Sequence, residues 1–347
     1  MARSNGSIVL KAIFNNLLKY EIFPSTWSTG IIVPIHKGGE LDDPNHYRGI
    51  TLNSCISKLF TLLLNNRLTT FCVNMGLINY NQIGFRKGFR TTDHIFTLKT
   101  LIENSLSKKE KLYACFVDFR KAYDTVWRKG LLYKLLASGV SKKFVNILKS
   151  MYSEIKLCVS MENGLSLPFN SRVGLKQGCN LSPILFNLFI NDLPGIIDNS
   201  NCNPPALLNL PVSCLLYADD LVLLSKSREG LQNALNSLNR YSNEWFLEVN
   251  NTKTKCIVFS RGKQTRLPLF SLGKQDLEFC HEYCYLGIIF SRSGNFKSAA
   301  KGLTEKANGA MFSILRNLYK YRSMDHKVML DIFDKMVAPI AIYGVEV

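Results

Sequence analysis

Leu215–Ser225, LLYADDLVLLS, places two adjacent carboxylates between two runs too apolar to lie on a surface. Strand-like runs on each side of a two-acid break predict a β-hairpin with Asp219 and Asp220 at its tip and buried strands beneath. Burying an unpaired carboxylate is costly or forces it to take up a proton, so acids at the edge of a core point to a metal site or to a solvated turn. Hard oxygen ligands without clustered His or Cys favour Mg²⁺ over Zn²⁺. Taken alone, the pattern is first of all that of an ordinary hairpin tip, since Asp is a common turn residue.

A second segment changes that reading. Leu112–Phe119, LYACFVDF, is another apolar strand, with Asp118 at its edge before Arg120 and Lys121 lead into the helical stretch KAYDTVWRKGLLYKLLASG, residues 121–139. One acid from a central strand beside two from a hairpin makes a three-carboxylate cluster. That is the minimum protein equipment for two-metal phosphoryl transfer, in which ions about 4 Å apart hold the attacking and leaving oxygens. Between the two strands lies Gly174–Leu193, GLKQGCNLSPILFNLFINDL. Gly174 and Gly178 permit close backbone approach, Ser182 and Pro183 begin a helix, and ILFNLFINDL repeats apolar residues at helical spacing. The helix reads as buried packing. Gln177, a neutral amide in a glycine-flanked loop, is placed to touch a bound ligand.

Composition narrows the class of partner. With 347 residues and 46% hydrophobic content the chain forms a folded protein of two or three subdomains. A formal charge of +17 implies a phosphate-rich partner, although charge alone does not separate a polymerase from a ribosomal or membrane-surface protein. No apolar run is long enough to span a bilayer. The ten cysteines lack CxxC pairs and read as reduced thiols of an intracellular protein. Cys280, His281 and Cys284 have no second ligand pair at zinc spacing. Near the N-terminus, Ile8, Leu10, Ile13, Phe14, Leu17 and Leu18 predict an amphipathic helix packed on the body rather than a targeting peptide.

FVDFRKAYDTV (116–126), the Gly174–Leu193 block, YADD (217–220), LEVNNTKTKCIVFS (247–260) and YLG (285–287) stand in the order and at roughly the spacing found in reverse transcriptases. WSTGIIVPIHKGGELDDPNHYRGITLNSCISKLF (27–60) and NQIGFRKGFRTTDHIFTLKTLIE (81–103) agree with the finger motifs of that family. The chain most closely resembles the reverse transcriptase domain of non-LTR (LINE-type) retrotransposons, from about Pro24 to the C-terminus. The resemblance implies an α+β right-hand polymerase fold with an antiparallel palm sheet backed by helices. Residues 1–111 would be an N-terminal extension and fingers, with a short strand pair around IIVPIHK and HYRGITL. Residues 112–290 would be the palm, in which the Asn- and Pro-rich loop Asn199–Pro211 leads into the YADD hairpin. Residues 291–347, including the basic helical stretch AAKGLTEKANGAMFSILRNLYKYR, would be a thumb that is incomplete, as in a piece of a longer polyprotein.

The chemistry implied is that of an RNA-directed DNA polymerase: a primer 3′-OH attacks the α-phosphate of a dNTP, assisted by two Mg²⁺ ions for which Mn²⁺ is a possible substitute. By resemblance, Asp118 and Asp219 bridge the ions, Asp220 completes the cluster and the backbone carbonyl of Phe119 is a further metal ligand. Lys37 and Arg48 fall on the finger positions that hold the β- and γ-phosphates, with solvated surface charge as the plain alternative. Lys253 matches a lysine near the leaving pyrophosphate that can act as general acid, for which Lys255 is the poorer candidate. Phe119, Tyr123 and Gln177 belong to the dNTP site. Tyr123, five residues beyond Asp118, would lie beneath the sugar and exclude a 2′-OH by bulk, where family members often carry Phe. Asp124 is expected to hydrogen-bond at the following helix start. The partners implied are an RNA template, a DNA primer or nicked target DNA and dNTPs, without a membrane and with oligomeric state open. The resemblance also implies nuclear action. Two readings from other classes stay open: a decayed or domesticated element fragment that only binds RNA, and an RNA-dependent RNA polymerase. The intact acids and Gln177 speak against the first, and Tyr123 and the YADD tip against the second.

Overall fold

The computed structural model describes residues 2–262, 268–318 and 325–347. The chain forms two compact units, each assembled from three segments: Met1–Phe85, Phe119–Leu193 and Arg240–Val249 in one, Arg86–Asp118, Pro194–Asn239 and Asn250–Val347 in the other.

In the first unit the helix Ala2–Tyr20 docks through Leu10, Phe14, Leu17 and Leu18, which are half-buried. The Phe14 ring lies 5.2 Å from Phe60 and 6.4 Å from Trp27. Ile8 and Ile13, expected on the same face, stay exposed because the aromatic cluster beneath accepts only one narrow stripe of the helix. Gly30–His36 pairs antiparallel with Tyr47–Leu52, as the sequence predicts, and parallel with Lys156–Met161. The helix Cys55–Asn74 is capped by Ser54, whose hydroxyl accepts from the Ser57 N–H, and it buries Phe60, Leu64, Leu68 and Cys72 at four-residue spacing. Helix Ser182–Phe189 is buried through Leu185, Phe186, Leu188 and Phe189, with Pro183 in its first turn. It stops short of Asp192, which serves another purpose described below.

One expected element is broken in two. The helical stretch after Asp118 consists of Ala122–Thr125 and Arg128–Ala137, separated at Val126 and the extended Trp127. The break turns the Arg128 guanidinium into the loop before Gly174, where it donates to the carbonyls of Ser171, Val173 and Gly174 at 2.7–2.8 Å. Three charge-assisted bonds outweigh the continuity of one helix.

The second unit is built on a five-stranded sheet in the order Glu278–Phe279, Lys255–Phe259, Leu112–Val117, Asp220–Ser225, Cys214–Tyr217. All neighbours are antiparallel except the short first strand. Leu112–Val117 is the central strand. Leu112, Ala114 and Phe116 alternate onto one face and share a core with Ile95, Leu98, Val222, Leu224, Ile257 and Phe259. The segment Asn199–Pro211, read as a loop, contains a two-stranded hairpin, Ala206–Leu207 with Leu210–Pro211. Its turn residues Leu208 and Asn209 both have positive φ, the geometry that matches the twist of paired strands. Lys297–Leu318 is helical as expected, whereas the following YKYR lies outside the described residues. Among the described residues no helix is long and apolar enough to cross a membrane.

Candidate active site

The second unit carries the acids. Asp220 opens the strand Asp220–Ser225, paired with Tyr217, so the turn itself is Ala218 and Asp219. Ala218 has φ 56°, a left-handed conformation that favours glycine in such turns and is strained for other residues. The register of the same strand on its other side pairs Leu221 with Val117, and one step further sets Asp220 across from Asp118. Asp118 is held at both ends of its peptide: its N–H donates to Thr254 Oγ1 at 3.2 Å and its carbonyl accepts from the Asn250 N–H at 2.7 Å. The LEVNNTKTK segment therefore fixes the backbone at the first acid.

Proximity of the three acids shows in their electrostatics. The Asp220 carboxyl is pushed up to about 6, first by desolvation and then by the negative charges of Asp219 and Asp118. Among the described residues no group of three or more His, Cys, Asp or Glu side chains is gathered so as to hold a metal ion. The donor chemistry fits a hard divalent cation nonetheless: oxygen ligands only, coupled by a repulsion that positive charge would relieve. Tyr283, which sequence reading passes over, stacks on Phe116 at 4.3 Å, and together with Asp220 it lines a cavity of about 240 Å³. Burial, Asp118 and Asp220 all push its phenol up, so it stays protonated at neutral pH. Lys253 sits exposed in the turn before Lys255–Phe259, its N–H donating to the Asn250 carbonyl at 3.1 Å. Lys255 is tied to Glu278 in an ion pair, which leaves it less available than Lys253.

In the first unit the structure gathers the other residues singled out by sequence. Arg48 pairs with Ile35 across the hairpin, and the Lys37 N–H donates to the His46 carbonyl at 2.8 Å. The Gln177 carbonyl accepts from the Thr51 N–H at 2.7 Å, and its Nε2 donates to Asp124 Oδ1 at 3.0 Å. Asp124 does not cap a helix, as the sequence suggests. It lies within Ala122–Thr125 and anchors the Gln177 amide instead. Desolvation pushes its carboxyl up, opposed by the Gln177 hydrogen bond and by Lys121, Lys37 and Arg48. Both loop glycines are required by close approach: a Cβ on Gly174 would lie 2.3 Å from the Asp124 carbonyl oxygen, and one on Gly178 2.7 Å from that of Thr51. Their φ angles, 81° and 104°, are equally unsuited to a side chain. Tyr123 stacks nearly parallel on Phe186 at 4.6 Å, and Phe119 is buried in a single antiparallel bridge to Val249.

Two buried lysines escape sequence reading. Lys134 Nζ donates to Asp192 Oδ1 at 2.6 Å, the Phe189 carbonyl at 2.7 Å and the Tyr241 hydroxyl at 2.8 Å. The only hint is its place on the apolar stripe with Leu131 and Leu135. Lys176 Nζ donates to the Ser28 carbonyl at 2.9 Å, and burial pushes it down to about 8.

Comparison with known proteins bears on family and fold. The family model described as reverse transcriptase (RNA-dependent DNA polymerase) matches residues 35–290. The probable RNA-directed DNA polymerase from transposon BS of Drosophila melanogaster is 30% identical over 98% of this chain and 38% of its own length. The RNA-directed DNA polymerase from mobile element jockey of Drosophila funebris is 29% identical over 98% of this chain and 37% of its own length. The chain thus spans somewhat over a third of the length of these two relatives. Among solved structures, apo telomerase from Candida tropicalis truncated from its C-terminal domain superposes with TM-score 0.52 at 15% identity, covering 82% of this chain and 60% of that one, a likeness of fold. The mixed α and β architecture, the ordered motifs and the match across most of the chain agree: the relatives are RNA-directed DNA polymerases of transposons and mobile elements, and the chain belongs to the reverse transcriptase family.

Proposed function

We propose that this chain is the polymerase core of a retrotransposon enzyme, extending a primer 3′-OH with dNTPs on an RNA template to make DNA. The observation that carries the reading is the electrostatic coupling of Asp118, Asp219 and Asp220, delivered by a central strand and a neighbouring hairpin. In this reading Asp118, Asp219, Asp220 and the Phe119 carbonyl would hold two divalent ions, Mg²⁺ by hardness with Mn²⁺ as substitute. Such ions, when bound, neutralise the charge that develops on the attacking and leaving oxygens.

The chain's own groups divide the remaining work. Lys37 and the planar fork of Arg48 bind the β- and γ-phosphates. The Gln177 amide, oriented by Asp124, contacts the incoming nucleotide, and Tyr123, braced by Phe186, fills the volume a 2′-OH would need. Lys253, exposed and without the acidic partner that ties Lys255, gives a proton to the departing pyrophosphate. Residues 1–111 then act as N-terminal extension and fingers, 112–290 as palm and 291–347 as part of a thumb. The nucleic-acid partners are an RNA template and a DNA primer or nicked target DNA, with nuclear action following from a chromosomal target.

The test is extension of a DNA primer annealed to an RNA template, with Mg²⁺ and dNTPs, resolved by product length. Template-directed extension is expected. Folded protein that binds the template yet yields no product would reject the polymerase reading in favour of an RNA-binding fragment.

A further inference from the structure

Two of the three tryptophans, Trp127 and Trp245, belong to one aromatic cluster in the first unit. Their rings lie 6.2 Å apart; Phe246 meets Trp127 edge-on at 5.2 Å, and Tyr133 lies near-parallel to Trp245 at 6.4 Å. The cluster is rigidly founded. Trp245 touches Phe189 and Tyr241, and the buried Lys134 ammonium lies 3.7 Å from the centroid of its ring. Its outer members are open to solvent, with Tyr133 66% and Phe246 64% exposed.

The backbone at Phe246 makes this display hard to attribute to packing. Phe246 follows the helix Arg228–Trp245 with φ 56°, and the Leu247 N–H donates to the Ser242 carbonyl at 2.9 Å, the left-handed turn with which helices commonly end. Glycine is the usual occupant of that position, and a bulky side chain there is strained. A strained conformation retained at an exposed ring points to a use for the ring outside the chain.

The chemistry of the surface indicates what that use is. Its outer members are mainly flat rings, with one aliphatic neighbour, Leu136, 47% exposed on the same helix face as Tyr133. Lys129, also exposed, lies one turn before Tyr133 on the same face of the helix Arg128–Ala137, and the chain carries a net charge of +17. Rings for unpaired bases and cations for the phosphates between them are the means by which proteins hold single strands without reading sequence. We propose that Phe246, Trp127, Trp245 and Tyr133 form a stacking platform for single-stranded RNA, with Lys129 at the phosphates. The site shares no residue with the polymerase machinery assigned above and does not depend on that reading.

The test uses a 5′-fluorescein-labelled (U)20 RNA in EDTA, with anisotropy and tryptophan fluorescence read on wild type, Phe246→Gly and Tyr133→Ala. RNA is expected to quench the tryptophan emission of the wild type. Phe246→Gly is expected to raise Tm by about 2 °C through relief of the left-handed backbone, and to weaken binding roughly tenfold. Tyr133→Ala is expected to weaken binding similarly, whereas affinity for a blunt RNA duplex stays unchanged in both variants. Wild-type affinity for (U)20 in both variants would overturn the proposal, as would equal losses for single strand and duplex. RNA binding that is intact while sedimentation shows a dimer lost in Phe246→Gly would overturn it too, and assign the surface to a second copy of the chain. Extension of a saturating primer–template is expected to be unaltered in Phe246→Gly, which separates this outcome from a failure of the polymerase reading.

Discussion

Asp219 occupies a turn position beside a strained alanine, and Asp220 is raised by burial and then by its acidic neighbours, so these side chains are arranged against their own stability. Asp219→Ala is therefore expected to reduce nucleotide addition by about a thousandfold while leaving Tm unchanged or slightly higher, as kinetics and thermal melts would show. An unfolded variant would make the acid structural. Tyr123, fixed on Phe186, is expected to set sugar choice: Tyr123→Val should lower the preference for dNTPs over rNTPs roughly tenfold or more, measured by competing extension reactions. The acids were legible in the sequence because apolar flanks leave a carboxylate few roles. Lys134 and Lys176 were not, because what makes a buried lysine tolerable is a set of carbonyls and hydroxyls from elsewhere in the chain, which no local pattern announces. Tyr123 was singled out through the family resemblance, whereas the Phe186 ring that braces it left no local signal.

At the scale of elements, the continuous apolar runs and the two-acid break were enough to foretell the hairpin and the central strand, which are buried on both faces, whereas their register had no local signal. The helix after Asp118 read as continuous, since local propensity at Val126 and Trp127 carries no sign of the three carbonyls waiting for Arg128. The Gly174 loop was visible as glycines, though not what they pack against. Gly174→Ala would drive a Cβ into the Asp124 carbonyl, displacing the partner of Gln177. It is expected to cost about 2 kcal/mol in denaturant titration and to raise the KM for dNTPs. Lys134→Met leaves Asp192 and Tyr241 without their shared donor. Asp192 remains partly solvated, so the expected loss is also about 2 kcal/mol rather than that of a fully buried pair.

For the molecule as a whole, the family was legible from motif order, whereas the weaving of three segments into each unit was not, because it depends on contacts between residues far apart in sequence. One buried group gives global stability a pH dependence. Burial pushes His94 down to about 4, partly opposed by Asp93, so the folded protein holds it neutral where the unfolded chain would protonate it. Its contribution is fully present above the ordinary histidine value near 6.5 and is lost as pH falls toward 4. Asp220, raised to about 6, gains a proton and stability as pH falls through the same window and works against His94; in an Asp220→Asn background thermal melts are expected to decline over that window, and His94→Gln to flatten the decline. The central claim concerns Asp118, since only the fold brings this acid, about a hundred residues upstream, to the hairpin's pair. Single-turnover incorporation of one dNTP on an RNA template, compared between wild type and Asp118→Asn at equal primer–template occupancy, tests it most directly. The account predicts a loss of about a thousandfold with unchanged folding; a rate within tenfold of wild type would contradict it.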